Sequence, residues 1–301
     1  CFCPSPKVST IFIASIKISV LTRDFLFELL CYAPSMNAKA DQYDVVVIGG
    51  GASGMMAAIS AAQSGKRVVI LEKNKILGRK LDITGGGRCN ITNAEFDTKK
   101  LLSVYGEAAP FLHSPFSQFS VQDTFDFFES RRMPLVVQAG KRAFPRTEKA
   151  TDVTNLLKHE LEKLGVEIRT QTSVKKLLRD GNVITGVETT KGNFTGTSYI
   201  LATGGLSHPE TGATGDGFSF LKDLGHTVKD PTPSIVPLAV SDEWVHKLAG
   251  ISVNDAKITF LLDGKKVFSK TGRIMFTHFG LSGPTILNSA SKVSDLFYSG
   301  S

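Results

Sequence analysis

The most informative stretch of this sequence is Asp44-Val-Val-Val-Ile-Gly-Gly-Gly-Ala-Ser-Gly-Met55, and it continues to a second apolar run that ends in Val-Val-Ile-Leu-Glu72. Val45 to Ile48 form a short β-branched run, which is typical of a strand covered on both faces. A helix is predicted from about Ser53 to Ser64, and Arg67 to Leu71 are predicted to form a second strand. The order of strand, glycine turn, helix, strand and acid predicts a dinucleotide site.

Each part of this pattern has a role in holding a nucleotide diphosphate. Gly49 allows the tight turn, Gly51 lets a pyrophosphate approach the backbone, and Gly54 lets the helix pack close to the strand. The N–H groups and the positive dipole end of the helix face that phosphate. Glu72 can accept both hydroxyls of an adenosine ribose and would repel a 2′-phosphate. NADP is therefore disfavoured, whereas NAD and the AMP half of FAD both fit.

The next segment, Leu77 to Asn93, favours FAD over NAD. It reads Leu-Gly-Arg-Lys-Leu-Asp-Ile-Thr-Gly-Gly-Gly-Arg-Cys-Asn-Ile-Thr-Asn. An NAD dehydrogenase is expected to enter another crossover helix here, but three consecutive glycines among polar side chains form a poor helix. Such a segment can lay backbone N–H groups against the ribityl chain or ring of a flavin. A mobile surface loop is the alternative interpretation.

From Val166 onward the hydrophobic period changes from 3.6 to 2, as expected for strands. Val166 to Thr170 are predicted to form the third parallel strand. Ser173–Leu178, Val183–Thr190 and Ser198–Ala202 are predicted to form a β-meander. A crossover made from a meander is typical of large FAD-binding Rossmann domains and unusual in NAD dehydrogenases.

Two further regions are predicted to be helical. The chain between the glycine loop and residue 150 is expected to form a helical cover, in which Val121, Phe125 and Phe128 share one helix face. Thr214 to Gly225 are predicted to form a helix with Asp216 near its N-terminus. That acid is interpreted either as a helix cap or as part of a flavin site.

Three segments follow from these patterns. Residues 1–40 are interpreted as a non-native or disordered leader with the natural start at Met36, and they are excluded from the fold prediction. Residues 41–237 are predicted to be an α/β, FAD-binding Rossmann-type domain with a β-meander crossover, and prolines mark its exit. Residues 238–301 are predicted to be the first, incomplete part of a β-rich insert domain, with a hairpin turn at Asp263-Gly264.

Composition indicates a globular cytoplasmic enzyme. The chain has 301 residues, of which 42% are hydrophobic and 21% charged, and its net charge of +7 is dispersed over short pairs such as Lys99-Lys100. A nucleic-acid-binding surface would be more clustered, so neither a nucleic acid nor a membrane partner is expected. Outside the leader the chain contains one cysteine, Cys89. This composition predicts no disulfide framework and no metal site, and it suits a reducing cytoplasm. The oligomeric state is left open.

The chain resembles a known family through a series of motifs. They are Gly78-Arg-Lys80, Thr84 to Asn93, Ala143-Phe-Pro145, Lys149 to Val153, Leu201 to Pro209, Thr211 to Gly217, Ser234 to Leu238, and Phe276 to Pro284. In this order they resemble the BaiN/YhiN-type flavoproteins, also called aminoacetone-oxidase-like FAD-binding enzymes, from about Tyr43 to the C-terminus. The resemblance implies a two-domain FAD oxidoreductase whose Rossmann-type domain carries a large insert. It also implies that members of the family have further sequence after the position that corresponds to residue 301 of this chain. It also implies that the backbone at Val174 meets the adenine.

The motifs and the resemblance together assign the cofactor-binding residues. They are Gly49, Gly51, Ala52, Ser53, Gly54, Glu72, Lys73, Lys80, Gly85, Gly86, Gly87, Arg88, Cys89, Asn90, Val174, Thr203 and Gly204. Cys89 is interpreted as packing beside the cofactor, with a redox-active thiol as the alternative. No catalytic residue is assigned, since neither His208 nor His226 has an identifiable partner in the sequence.

The predicted function is that of an FAD-dependent oxidoreductase. Its flavin would transfer a hydride or electrons between a small organic substrate and a nicotinamide or other acceptor. A second G-x-G-x-x-G is not found in the sequence, so any NAD(P)H donor would bind transiently or at another site. The alternatives are an NAD-dependent dehydrogenase and a flavin-bound, RNA-associated or scaffold protein without redox turnover.

Overall fold

The structure, a computed structural model, describes residues 11–13 and 42–298. The chain divides into two compact units, Cys1–Val228 and Lys229–Ser301. The division lies upstream of the boundary predicted at residue 237.

The first unit contains ten strands and six α-helices within the described residues. They are β1 (Ile11–Ile13), β2 (Gln42–Ile48), α1 (Ala52–Gln63), β3 (Val68–Leu71), β4 (Thr92–Asn93), α2 (Thr98–Leu102), α3 (Ala109–Gln118), α4 (Val121–Glu129), β5 (Leu135–Gln138), β6 (Arg142–Pro145), α5 (Ala150–Lys163), β7 (Glu167–Arg169), β8 (Val174–Asp180), β9 (Val183–Thr189), β10 (Gly192–Leu201) and α6 (Asp216–Asp223). Short 3₁₀ segments lie at Leu81–Gly86, Ser103–Ala108, Ala139–Lys141 and Pro209–Thr211.

The main sheet has the strand order β7-β3-β2-β10-β9-β8. Strands β7, β3, β2 and β10 pair in parallel, whereas β8, β9 and the start of β10 pair antiparallel. The crossover from β7 to β10 is therefore a β-meander, and the predicted α/β Rossmann-type fold is confirmed. Strand β1 also pairs with β10, with Ile11–Ile13 beside Tyr199–Leu201. This strand belongs to the segment left out of the fold prediction, and Met36 lies outside the described residues.

Strand β2 is buried on both faces, as its continuous β-branched run predicts. Val45 and Val47 pack into the cluster that contains α1 and α5. Val46 and Ile48 point the other way, into the cluster that contains the meander and α6. The carboxyl end of β2 is thus held firmly at the edge where the glycine turn begins.

The region between the glycine loop and residue 150 is only partly helical, so the predicted helical cover needs correction. Helix α4 has the expected apolar face, and Ser120 and Asp123 cap it reciprocally. However, β5 and β6 form an antiparallel sheet with β4. Periodicity missed this sheet because its strands are short and because β4 comes from a segment far away in sequence.

The second unit contains a four-stranded sheet of order β11-β14-β13-β12. Its elements are β11 (Leu238–Ala239), α7 (Glu243–Lys247), β12 (Ser252–Leu262), β13 (Lys265–Thr277), β14 (Gly280–Ser282), α8 (Pro284–Leu287) and α9 (Ala290–Tyr298). The β12–β13 hairpin turns at Asp263 and Gly264, which both have positive φ, as a type I′ turn requires. Within residues 11–13 and 42–298, every helix is too short or too polar to span a lipid bilayer.

Candidate functional site

The glycine turn between β2 and α1 is packed against protein backbone on one side and is open on the other. A Cβ atom on Gly49 would lie 2.5 Å from the Ala202 carbonyl oxygen, and one on Gly54 would lie 1.9 Å from the Gly49 carbonyl oxygen. These two positions therefore bring the helix, the turn and the end of β10 together. A Cβ atom on Gly51, by contrast, would meet no heavy atom of the described residues within 4 Å.

The N-terminus of α1 is available to a ligand on this open face. Gly51 occupies the N-cap position, and no described side chain caps the helix. The first N–H groups of a helix need partners, and an anion is favoured there by the helix dipole. The turn therefore forms a cradle suited to a diphosphate.

Glu72, at the end of β3, has a carboxylate held by three donors. Its Oε2 accepts the Gly50 N–H at 2.7 Å. Its Oε1 accepts the Asn74 N–H at 2.7 Å and the Asn74 side-chain amide at 2.8 Å. Because a carboxylate has about four acceptor positions, roughly one remains on Oε2 for a ligand hydroxyl. Glu72 therefore has fewer free acceptor positions than a contact with both ribose hydroxyls, which the sequence predicts, would use.

The tip of β3 is tied to the segment before α6. The Asn74 amide donates to the Thr211 carbonyl at 3.0 Å. The Lys73 amine lies 2.7 Å from Asp216 Oδ2 and donates to Thr214 Oγ1 at 2.6 Å. Burial by itself would raise the pKa of Asp216, but the hydrogen bonds from Lys73 and Thr214 and the Lys73 charge lower it overall. Asp216 is therefore the partner of a cation as well as a residue of the first turn of α6.

A cavity of about 320 Å³ lies at the carboxyl ends of these strands. Ligands bind at this edge of open parallel α/β sheets. The predicted cofactor residues that line it are Gly49, Gly51, Ala52, Ser53, Glu72, Lys73, Lys80, Val174, Thr203 and Gly204. The tertiary structure thus brings together residues that lie more than a hundred positions apart in the chain.

The cavity also includes Asp216, which the sequence left open between a helix cap and a flavin site, and residues that were not predicted as cofactor ligands. The latter are Gly50, Asn74, Gly78, Arg79, Thr84, Thr172, Ser173, Thr211, Gly212, Ala213 and Phe220, together with apolar neighbours. The Thr211 to Gly217 motif was the signal that could have identified several of them.

The loop from Gly85 to Asn90 does not line this cavity. Gly85 packs against Asn90, because a Cβ atom on Gly85 would lie 2.9 Å from the backbone nitrogen of Asn90. The Arg88 guanidinium lies 4.6 Å from the centre of the Phe144 ring and 3.7 Å from the Glu148 carboxylate. Gly86 and Gly87 have positive φ. Contacts from this loop to a cofactor, including those of Cys89, remain predictions.

The Cys89 thiol is buried, with 2% of the residue exposed. Burial raises the pKa of this thiol, and the hydrogen bond with Thr84 only partly opposes that rise. A raised pKa lowers the thiolate fraction, which is the nucleophilic form. This environment favours the packing interpretation over a redox-active thiol.

Two titratable side chains near the cavity have partners that the sequence did not reveal. His208 lies 2.8 Å from Glu210, and the hydrogen bond from this histidine lowers the pKa of the Glu210 carboxyl. Lys80 donates to the carbonyl and hydroxyl oxygens of Ser207. Burial lowers the pKa of Lys80. The described residues contain no cluster of three or more His, Cys, Asp or Glu side chains that could hold a metal ion.

The glycine cradle, the buried Glu72 acceptor and the adjacent lysines fit the adenosine diphosphate part of a dinucleotide. A family model for the HI0933-like protein Rossmann domain matches residues 43–295. The chain belongs to the HI0933-like Rossmann family. This result confirms the BaiN/YhiN-type relationship indicated by the motifs, and FAD is the cofactor supported for this family and fold.

HI0933-like relatives include two curated proteins. The 3-dehydro-bile acid delta(4,6)-reductase of Clostridium scindens is 34% identical, over 84% of this chain and 61% of its own length. A ribosomal RNA dihydrouridine synthase of Haemophilus influenzae is 31% identical, over 80% of this chain and 59% of its own length. The chain thus spans about three fifths of the length of these relatives.

The solved structures include a similar fold in 3-ketosteroid-delta4-(5alpha)-dehydrogenase from Rhodococcus jostii RHA1. The alignment has a TM-score of 0.50 at 19% identity and covers 71% of this chain and 59% of that chain. At 19% identity, this similarity shows only that the two proteins share a fold.

Proposed function

We propose that this protein is an FAD-dependent oxidoreductase that exchanges a hydride or electrons between a small organic substrate and a nicotinamide or other redox partner. The observation that carries the proposal is the cavity in which the open Gly51 turn, the N-terminus of α1 and the Glu72 carboxylate converge. FAD would supply the hydride or electron transfer itself, whereas the protein binds it and excludes water.

The residues of the chain have separate binding roles in this proposal. Gly51, Ala52 and Ser53 direct backbone N–H groups to the diphosphate. The remaining acceptor position of Glu72 takes a ribose hydroxyl, and the backbone at Val174 meets the adenine. Lys80 provides a cation whose amine is held by the oxygens of Ser207.

The names of the two relatives support a reductive reaction on an unsaturated ring. One is a reductase of a 3-dehydro bile acid, and the other makes dihydrouridine in ribosomal RNA. We propose for this protein a small, unsaturated cyclic carbonyl compound as the substrate and NADH or NADPH as a transient donor. The buried free thiol of Cys89 fits a cytoplasmic location.

RNA is the second candidate substrate because one relative is named for its action on ribosomal RNA. The cations of the first unit argue against a continuous phosphate-binding surface, since several are paired with acids. Arg131 lies 2.7 Å from Glu160, Lys141 contacts Glu95, and Arg88 lies near Glu148. Pairing of this kind reduces the positive potential that a nucleic acid would meet.

The spectrum of the purified protein tests the proposal. We expect a yellow protein that releases FAD on denaturation and whose flavin is bleached by NADH or NADPH without oxygen. An enone substrate should then restore the oxidised spectrum. A protein that binds NAD but no flavin would establish the dehydrogenase alternative. Bound RNA together with a flavin that no nicotinamide reduces would favour the scaffold alternative.

A further inference from the structure

We propose that Asp216 makes the nucleotide site selective for an unphosphorylated ribose, because it neutralises Lys73 beside the Glu72 carboxylate. This inference rests on the proposed function, in which the cavity holds an adenosine nucleotide. It assigns the specificity to a pair of residues from two distant segments, in addition to the acid at the end of β3.

Lys73, Thr214 and Asp216 form a closed ring of polar contacts. The Lys73 amine lies 2.7 Å from Asp216 Oδ2 and 2.6 Å from Thr214 Oγ1. Thr214 in turn donates to Asp216 Oδ1 at 2.8 Å. The side chains of Lys73 and Asp216 are 29% and 37% exposed, and both line the same cavity as Glu72. A ligand in this cavity would therefore meet a Lys73 ammonium group whose positive charge is compensated by Asp216.

The surrounding backbone fixes the position of this ring. Asn74 bridges Glu72 and the Thr211 carbonyl. Gly212 has a φ of +98°, and a Cβ atom there would lie 2.6 Å from the Asn74 amide nitrogen and 3.2 Å from Lys73 Cε. Because Gly212 permits this close approach, the stem of Lys73 is confined rather than free to follow a ligand.

The other cations of the lining are directed towards the segment that follows β10. Lys80 donates to Ser207, and the charge of Arg79 acts on Glu210. Lys73 is the cation that follows Glu72 directly in the chain. A basic side chain at the ribose is the usual means of accepting a 2′-phosphate. Asp216 is paired with the Lys73 amine, so this amine is not available to a 2′-phosphate. The negative charge of Glu72 then repels a phosphate at the ribose.

The binding of two nucleotides distinguishes a role of Asp216 in specificity from a purely structural role. Adenosine 5′-monophosphate and adenosine 2′,5′-bisphosphate differ only at the ribose 2′ position. Their dissociation constants can be measured by calorimetry on the full chain after its flavin has been removed. The informative quantity is the ratio of the two constants, since a loss of structure weakens both ligands together.

We expect the wild-type protein to prefer the monophosphate. Asp216→Asn leaves the Lys73 charge available and should shift the ratio about tenfold towards the bisphosphate, which corresponds to about 1.4 kcal/mol. Lys73→Met should act in the opposite direction, because it exposes the charge of Asp216. Asp126→Asn, on the exposed face of α4, is the matched control with the same loss of charge and should leave the ratio unchanged.

Each outcome has one meaning. If the wild-type protein binds no adenosine monophosphate, the proposed function is refuted at this cavity. If it binds the monophosphate but Asp216→Asn weakens both ligands equally, the specificity role is wrong and the proposed function stands. If Asp216→Asn does not fold, Lys73→Met decides, since an unchanged ratio in that variant also overturns the inference.

Discussion

Replacement of Gly54 by alanine tests the physical basis of the cofactor site most directly. Gly54 lies in the first turn of α1, where the helix passes over the turn that follows β2. A Cβ atom at this position would lie 1.9 Å from the Gly49 carbonyl oxygen and 3.3 Å from Ala202 Cβ. The nearest atom belongs to the backbone, so no side-chain rotation can relieve the clash.

The expected magnitude combines two opposing effects. Overpacking typically costs about 1–3 kcal/mol, and a clash with backbone places Gly54→Ala at the upper end of that range. Alanine regains about 1 kcal/mol relative to glycine inside a helix. The net loss is about 2 kcal/mol, which should lower the Tm of a unit of this size by about 4–8 °C. The displaced helix should also bind less FAD.

The assay compares thermal unfolding of the flavin-free protein with flavin content after purification. Gly51→Ser is the control, since its Cβ atom would enter space free of described protein atoms and serine is a favoured N-cap residue. We expect Gly51→Ser to keep the unfolding temperature of the flavin-free protein while its flavin content falls, because its side chain stands where the diphosphate binds. The reasoning is refuted if Gly54→Ala unfolds at the wild-type temperature and retains full flavin.

Three further predictions concern individual side chains. Glu72→Gln should lower the free energy of unfolding of the flavin-free protein by about 1–3 kcal/mol in urea titrations, because its NH₂ group must face either Gly50 or Asn74 donors; a wild-type midpoint would contradict the hydrogen-bond assignment. Cys89 should resist alkylation at mildly alkaline pH in the native protein and react once unfolded, as peptide mapping would reveal, because burial raises its thiol pKa; rapid native labelling would restore the reactive interpretation. The pKa of Asp216 is lowered on folding, so its contribution to stability is present above the ordinary aspartate pKa of about 3.9 and disappears as pH falls through the folded value. The Tm difference between wild type and Asp216→Asn should therefore be constant near neutrality and shrink in acid, and a difference that persists or grows in acid would show that the ion pair with Lys73 does not produce it.

Local patterns were sufficient to predict β2, α1 and β3. Val45 to Ile48 form a strand buried on both faces, and the glycine spacing marks the turn before α1. Such patterns succeed because periodicity and turn geometry act within a few residues. The β12–β13 hairpin was predicted for the same reason, since Asp263-Gly264 supplies the two positive φ angles of its turn.

Other features depend on partners that no local pattern names. Strands β5 and β6 have too few residues for a clear period, and β4 joins them from a distant segment. Strand β1 pairs with β10 although almost the whole chain up to β10 separates them in sequence. Their pairing follows from hydrogen-bond satisfaction in the folded state and not from their own residue order.

The order of residues alone predicted the strand, glycine turn and helix, the acid at the end of β3 and the FAD-binding class of fold, because these signals are short-range and depend on residue type and spacing. Tertiary contacts established which side chains share the cavity and how they are charged there. Lys73 meets Asp216 across a sequence separation of 143 residues, and the donors of Gly50 and Asn74 set the acceptor capacity that Glu72 retains. Electrostatic and hydrogen-bonding partners act through space, so they exist for this protein only once its parallel strands have brought their carboxyl ends together.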